Sequence, residues 1–392
     1  MAARDVALAV LTNPVSLRYV ADWREYQTFQ SHLQTYTLFV PIDGPLMLYG
    51  AYATVHPVVD EFGPTHGLNV FDGGVADADL AERARRFAHD VRRRVAGGTM
   101  RVAVEAMSPS AVQALERAGL IVVDAAPLVE QAKYVKSTGE LVCIRHSIAV
   151  AEAALDVMRA AARPGVTENE VFAVLHQTNI ANDGDWIEGR MLCSGPRTNP
   201  WYQEASARRM ETGDLLAVDT DMVGPFGYGA DISRTWPIPA DGPFQGSPTP
   251  QLGRGNPRTV DRSESSMAMV KDRYQRAHAE ITHNAQLLGP GRTFRELSDK
   301  AFRQPDEFVA NRYACIAHGV GMTDEYPRIA YRQDWEQLGY DGELVPGAVI
   351  SVESFVGSEH GGPGVKLEDM YLITTTGAER LSSYPFEEDL LS

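Results

Sequence analysis

The run LLAVDTDMVGPFGYGADISRTW, residues 215–236, constrains this chain more than any other stretch. It has the composition of two strands joined by a turn, yet it carries Asp219, Asp221 and Asp231 within the apolar pattern. An acid buried in a strand loses its hydration, and neighbouring acids repel each other as well. Asp219 and Asp221 are two residues apart, so an extended chain turns both to one face. Asp231 follows in a second strand, beyond a turn with Gly224-Pro225 and Gly227. Such a group needs a counter-charge, and a metal ion is the usual one. Three carboxylates converging from a hairpin form half of a hard-cation site.

The other half lies downstream. His318 sits in AHGVGMTDEYP, where glycines permit close backbone approach. Glu353 stands mid-strand in VISVESFVG, and Glu368 in VKLEDMYLIT at the start of what reads as the final strand. Each alone has an ordinary structural reading. Together with the three aspartates they indicate a metal centre held by Asp219, Asp221, Asp231, His318, Glu353 and Glu368.

The 392 residues suggest two domains or three, and an apolar fraction of 44% lets each build a core. Residues 1–130 alternate strand and helix signals: apolar runs flank Asp43-Gly44, a helical period covers 76–95, and short strands read over 101–106 and 120–123. Residues 131–392 form the second domain. It opens on a long amphipathic helix over 138–162, followed by a capping box of Thr167 and Glu170. Strands are expected over 215–223, 232–237, 349–356 and 370–374, with a helix over 266–288. The Pro-, Gly-, Ser- and Arg-rich segment 240–264 reads as a flexible insertion, either a tolerated surface loop or a lid.

A formal net charge of −16 disfavours nucleic acid as a partner. Cys143, Cys193 and Cys315 lack metal or redox spacing and read as reduced thiols of a cytoplasmic protein. The first residues do not resemble a signal peptide, and no apolar run is long enough to span a membrane.

The order Asp219, Asp231, His318, Glu353, Glu368, with the runs GYGADISRT and KLED, resembles the pita-bread metallopeptidase family of methionine aminopeptidases, Xaa-Pro peptidases and creatinases. The resemblance implies an α/β chain: a creatinase-type N-terminal domain, then a pita-bread (α+β) catalytic domain. It also implies a homodimer. Three positions depart from the peptidases of the family. Asp221 stands where they have glycine, Asp324 where they carry a histidine after the metal-binding one, and Trp201 where another histidine follows an SGPN-like run. These departures are similar to one branch, the dimethylsulfoniopropionate (DMSP) lyases of the DddP type, as are the runs LHQTNI, SGPRTNPW, NRYACIAHGVG and SSYPFEE.

That likeness implies a metal-dependent β-elimination of DMSP to acrylate and dimethyl sulfide, a carbon–sulfur lyase reaction on a metallopeptidase fold. Asp324 is its expected base, and Tyr313 a substrate contact. A sulfonium has no proton to donate, so aromatic faces suit it, and Trp186, Trp201 and Tyr313 are the candidates. Ordinary packing is the competing reading for each. The alternative activity is that of an Xaa-Pro dipeptidase or aminopeptidase. An oxygen-rich site with one imidazole suits iron, manganese or zinc, as two divalent or trivalent ions; Asp221 adds charge that favours a more highly charged ion, and the branch resemblance implies iron.

Overall fold

The structure is a computed structural model and describes residues 1–24, 27–50, 58–68, 76–95, 99–239 and 267–392. The segment 240–264, read above as an insertion or lid, lies outside the described residues. Contacts divide the chain into two compact units, Met1–Ala132 and Lys133–Ser392.

The first unit is built on a six-stranded sheet of β1 (Leu8–Leu11), β2 (Thr37–Pro41), β3 (Met47–Gly50), β4 (Glu61–Pro64), β5 (Arg101–Val104) and β6 (Ile121–Asp124), in the order β4-β3-β2-β1-β5-β6. The apolar runs are uninterrupted because both faces of the sheet are covered. Leu8 and Val10 enter one core, and Ala9 and Leu11 enter the other. Helices α1 (Pro14–Ala21) and α2 (Gln27–His32) follow β1, and α3 (Asp77–Arg94), α4 (Pro109–Arg117) and α5 (Ala126–Lys133) come later. The very polar α3 buries only Leu80, Ala84, Phe87, Ala88 and Val91, one stripe at helical spacing. Its acids Asp77 and Asp79 lie in the first turn and Arg92, Arg93 and Arg94 in the last, each matching the helix dipole.

The second unit opens with α6 (Thr138–Ala161), capped by Ser137 and Glu140, and α7 (Glu168–Ala181), capped by Thr167 and Glu170. Strands β7 (Gly184–Ile187), β8 (Leu192–Ser194), β9 (Leu215–Asp219), β10 (Met222–Pro225), β11 (Gly229–Ala230) and β12 (Ser233–Pro237) form two three-stranded sheets, β11-β10-β7 and β12-β9-β8. Beyond α8 (Met267–Leu287), strands β13 (Ala317–Val320), β14 (Asp324–Ile329), β15 (Val349–Val356), β16 (Val365–Ile373) and β17 (Ala378–Arg380) form an antiparallel sheet in the order β14-β13-β15-β16-β17. Side chains stitch β12 to β16: the Thr235 hydroxyl donates to the Lys366 carbonyl at 2.9 Å and accepts from the Lys366 amide at 3.0 Å.

Two sequence expectations change. The run 215–223 is two strands, not one, because the chain turns at Thr220-Asp221. Glu368 does not begin the last strand: it is the fourth residue of β16, opposite Glu353, and β17 follows. Among the described helices none is long and apolar enough to cross a membrane.

On the inner face of α8 the carboxyl of Glu280 is buried among neutral partners. It accepts from Ser354 Oγ at 2.9 Å, Gln304 Nε2 at 3.0 Å and the Tyr331 hydroxyl at 3.2 Å. Burial pushes this carboxyl up to about 7, against the pull of those hydrogen bonds. The folded state therefore holds a proton that the unfolded state releases above its ordinary carboxyl value of 4.5. Stability contributed here is lost as pH rises from that value through about 7. Glu280→Gln keeps the shape and removes the titration. Denaturant melts should show the variant gaining on the parent between pH 5 and 8, by up to roughly 3 kcal/mol. Parallel curves for parent and variant would show that Glu280 does not carry this dependence.

Candidate active site

The acids singled out in the sequence meet where β9, β12, β13, β15 and β16 converge. Asp219 ends β9 and faces Ser233 across the ladder to β12. Asp221 reaches the same place by a route the strand period does not describe. Its φ is +38°, so the backbone turns through the left-handed region immediately after the strand. Thr220 braces this corner: its hydroxyl donates to the Ala230 carbonyl at 2.8 Å and accepts from the Ile232 amide at 3.0 Å. Oxygens of Asp219, Asp221 and Asp231 lie within 4.8 Å of one another, as do ligand atoms of Asp231, His318, Glu353 and Glu368. Asp231 belongs to both groups.

His318 stands in β13, next to a bulge between His318 and Gly319 that re-aims the strand. The following glycine has a packing reason: a Cβ on Gly319 would come 2.3 Å from the Tyr326 carbonyl oxygen. Nε2 of His318 points into the acids, 3.0 Å from Glu353 Oε1, 3.4 Å from Asp231 Oδ2 and 3.6 Å from Glu368 Oε1. Glu353 and Glu368 are direct cross-strand partners and fully buried.

One central residue was not singled out in the sequence. Lys366, also fully buried, sets its ammonium 2.6 Å from Glu353 Oε2, 3.0 Å from Glu368 Oε2 and 3.1 Å from Asp219 Oδ2. The signal was present: Lys366 and Glu368 alternate in an apolar strand and therefore share a face. Burial alone would drive the lysine towards neutrality, but Asp219, Glu353 and Glu368 hold its pKa well above the ordinary value. Burial and the charge of Glu368 push Glu353 up to about 8, with Lys366 opposing. Glu368 runs the other way: burial raises it, but Lys366 and His318 outweigh burial and keep it ionised.

These residues fit a pair of metal ions. Asp219 Oδ1 and Asp231 Oδ1 are buried without a hydrogen-bond partner, which is costly unless a cation takes them. Three of the five carboxylates pair with one ammonium, and burial with neighbouring acids raises the pKa of Asp219, Asp221 and Asp231, a penalty that a bound cation would relieve. The oxygen-rich donor set with one imidazole suits divalent transition metals.

Asp324 opens β14 at the rim of this cluster. Its side chain is 54% exposed, and Oδ1 lies 3.6 Å from His318 Nδ1. Arg328, further along the same strand, donates to the Ala314 carbonyl. The adjacent Glu325 is buried and clamped by the ammonium groups of Lys133 and Lys136, which fixes the strand that presents Asp324. Of the aromatic candidates, Trp201 is buried between Phe355 and Lys366, with its ring 5.8 Å from the ammonium. Tyr313 lies closer, 4.5 Å from that ammonium. Trp186 lies on β7, paired with Val223, and its indole partners Glu188, a carboxyl that feels the charge of Asp324.

The profile of metallopeptidase family M24 matches residues 142–375. The chain belongs to that family, and its second unit has the family's pita-bread fold. Within the family it is a DddP-like member: it is 35% identical to the dimethylsulfoniopropionate lyase DddP of Roseovarius nubinhibens over 99% of this chain and 84% of that enzyme. The Xaa-Pro dipeptidase of Pyrococcus furiosus is 26% identical over 65% of each chain. Solved structures share the fold at lower identity. The X-Pro aminopeptidase of Thermotoga maritima superposes with a TM-score of 0.72 at 18% identity, covering 98% of this chain and 95% of its own. The Xaa-Pro dipeptidase of Bacillus anthracis gives 0.71 at 21%, covering 97% and 94%.

Lys366→Met tests the counter-charge. In protein stripped with a chelator, the variant should be less stable by about 3 kcal/mol or more, because buried acids lose the ammonium paired with them. Added Mn²⁺ should then raise its melting temperature more than it raises the parent's. Equal stability of the stripped proteins would show that the ammonium is not needed.

Proposed function

We propose that this enzyme is a metal-dependent DMSP lyase that cleaves its substrate by β-elimination to acrylate and dimethyl sulfide. The observation that carries this reading is the exposed carboxylate of Asp324 at the rim of a buried acid cluster. Peptidases of the family place an imidazole there, which suits hydrogen bonding to an amide; a carboxylate suits taking a proton from carbon. The likeness to DddP over nearly the whole chain supports the same reading.

Asp219, Asp221, Asp231, His318, Glu353 and Glu368 would hold two ions. When bound, these supply positive charge that offsets the charge developing on the substrate's carboxylate. Lys366 bears on their valence. Its ammonium pairs with Asp219, Glu353 and Glu368 and offsets one of the five carboxylate charges, so two divalent ions would balance the rest. Iron in the divalent state fits, as do manganese and zinc.

The remaining steps belong to the chain's own side chains. Asp324 takes the proton from the carbon next to the substrate carboxylate. The electron pair of that C–H bond forms the new carbon–carbon double bond, and the C–S bond breaks with its pair going to sulfur. The sulfonium leaves as neutral dimethyl sulfide, and Asp324 returns its proton to solvent from its exposed position. The aromatic groups near Lys366, Trp201 and Tyr313, form an apolar wall beside the acids. Trp186 joins them only from the Glu188 side. A homodimer working in the cytoplasm completes this reading.

The second reading, an Xaa-Pro dipeptidase, draws on the fold and on relatives such as that of Pyrococcus furiosus. Trp201 and Asp324 stand where its two working histidines are expected, which favours the lyase. Headspace dimethyl sulfide from DMSP, measured beside proline release from Xaa-Pro dipeptides, separates the two. Asp324→Asn should keep its metal content while turnover of DMSP falls by roughly 10²–10⁴. A variant with near-parental release would place the base elsewhere.

Asp221→Gly tests the sixth ligand. Asp221 already sits at positive φ, which glycine adopts freely, so the backbone tolerates the change. Calorimetry should show one of the two ions bound at least tenfold more weakly. Unchanged affinity for both would remove Asp221 from the ligand set.

A further inference from the structure

Three aromatic side chains line the acid cluster near Lys366, and two are already engaged. Trp201 is only 4% exposed, with Phe355 on one side and the lysine ammonium nearby. Tyr313 carries that ammonium 4.5 Å from its ring centre, so a second cation at the same place would be repelled. The third is Tyr202. Its ring stacks on Tyr313 with centroids 5.4 Å apart and planes 25° apart, yet the residue is 55% exposed.

Tyr202 is also held in a conformation that a bulky residue rarely adopts. Its φ is +69°, in the left-handed region. Its hydroxyl accepts a hydrogen bond from the Ala314 amide at 3.1 Å, which ties the ring to the residue next to Tyr313. The strained backbone leaves this residue half in solvent even though its ring stacks on Tyr313 and its hydroxyl is tied down, and strain of this kind collects at binding sites.

We propose that Tyr202 is the outer wall of the substrate pocket and that its open ring face, beside Tyr313, binds the sulfonium cation of the substrate. The identity of that cation rests on the lyase reading; the cation-binding face rests on the ring geometry alone. A methylated sulfonium offers no hydrogen-bond donor, and an aromatic face attracts its positive charge without one. The attraction ends when the C–S bond breaks, because dimethyl sulfide is neutral. The same face thus favours the charged substrate over the departing product.

The test uses the full-length, metal-loaded enzyme and trimethylsulfonium as the probe, with tert-butanol as a neutral molecule of similar shape. Calorimetry on the parent, Tyr202→Phe and Tyr202→Leu gives the affinities, and melting temperatures report the fold. Tyr202→Phe keeps the ring and should bind trimethylsulfonium within about threefold of the parent. Tyr202→Leu removes the ring face and should bind it about tenfold more weakly, in line with a cation–π contact. tert-Butanol should bind more weakly than the cation to the parent and be indifferent to the substitution. Should the leucine variant not fold, Tyr202→Gly relaxes the backbone and reports the same loss. No binding by the parent, parental affinity in the leucine or glycine variant, or equal affinity for tert-butanol would overturn the proposal. Dimethyl sulfide release from DMSP by the parent is read separately. Release with trimethylsulfonium affinity indifferent to Tyr202 overturns this inference alone, whereas Tyr202-dependent sulfonium binding without release overturns the lyase reading alone.

Discussion

Five carboxylates, four of them buried and Asp221 partly so, are the constraint on which the second unit depends. Asp219, Asp231, Glu353 and Glu368 are almost wholly buried, and their mutual repulsion works against folding wherever no positive charge meets it. Lys366 supplies part of that charge from within the chain, and His318 supplies hydrogen bonds from β13. The surrounding strands are apolar and fully covered because the cluster must be kept at fixed spacing by packing on every side. Behind it, Ser233 and Ser351 each donate to Glu368, at 2.7 and 2.6 Å, so its carboxylate oxygens are held before any ion arrives.

A second layer of charge holds the strands themselves. Asp369, the neighbour of Glu368, points to the opposite face of β16 and pairs with Arg234 at 2.8 Å and Arg380 at 2.7 Å. Arg234 also donates to the Glu368 carbonyl at 2.7 Å, which locks β12 against β16. On the other flank, Lys133 and Lys136 clamp Glu325 beneath the exposed Asp324. The interior is therefore rigid and over-determined. The rim carries Asp324 and Tyr202, both more than half exposed. This division suits a fold whose relatives include both peptidases and lyases, since function resides in the site and not in the fold that carries it.

The sequence made much of this architecture legible. Apolar runs flanking Asp43-Gly44 gave the hairpin of β2 and β3, helical stripes gave α3 and α6, and the capping box gave the start of α7. Acids inside apolar strands also marked Asp219, Asp231, Glu353 and Glu368 as members of one site, because a buried charge needs a local reason whatever the fold around it. The place of Asp324 beside His318 followed from short separation along the chain.

What the sequence left undecided are the relations between distant strands. Asp221 reaches the cluster through a left-handed turn, not the strand period, and only the corner braced by Thr220 decides that. Lys366 reads as one more charged residue until β16 pairs with β15 and sets its ammonium among Asp219, Glu353 and Glu368. Trp186 and Trp201 look alike as candidates, yet β7 sets one beside Glu188 while the loop before β9 buries the other near Lys366. Residue type and local period determine which side chains are costly to bury. Which of them share a site is decided by strand register and crossing, which depend on contacts far apart in the chain.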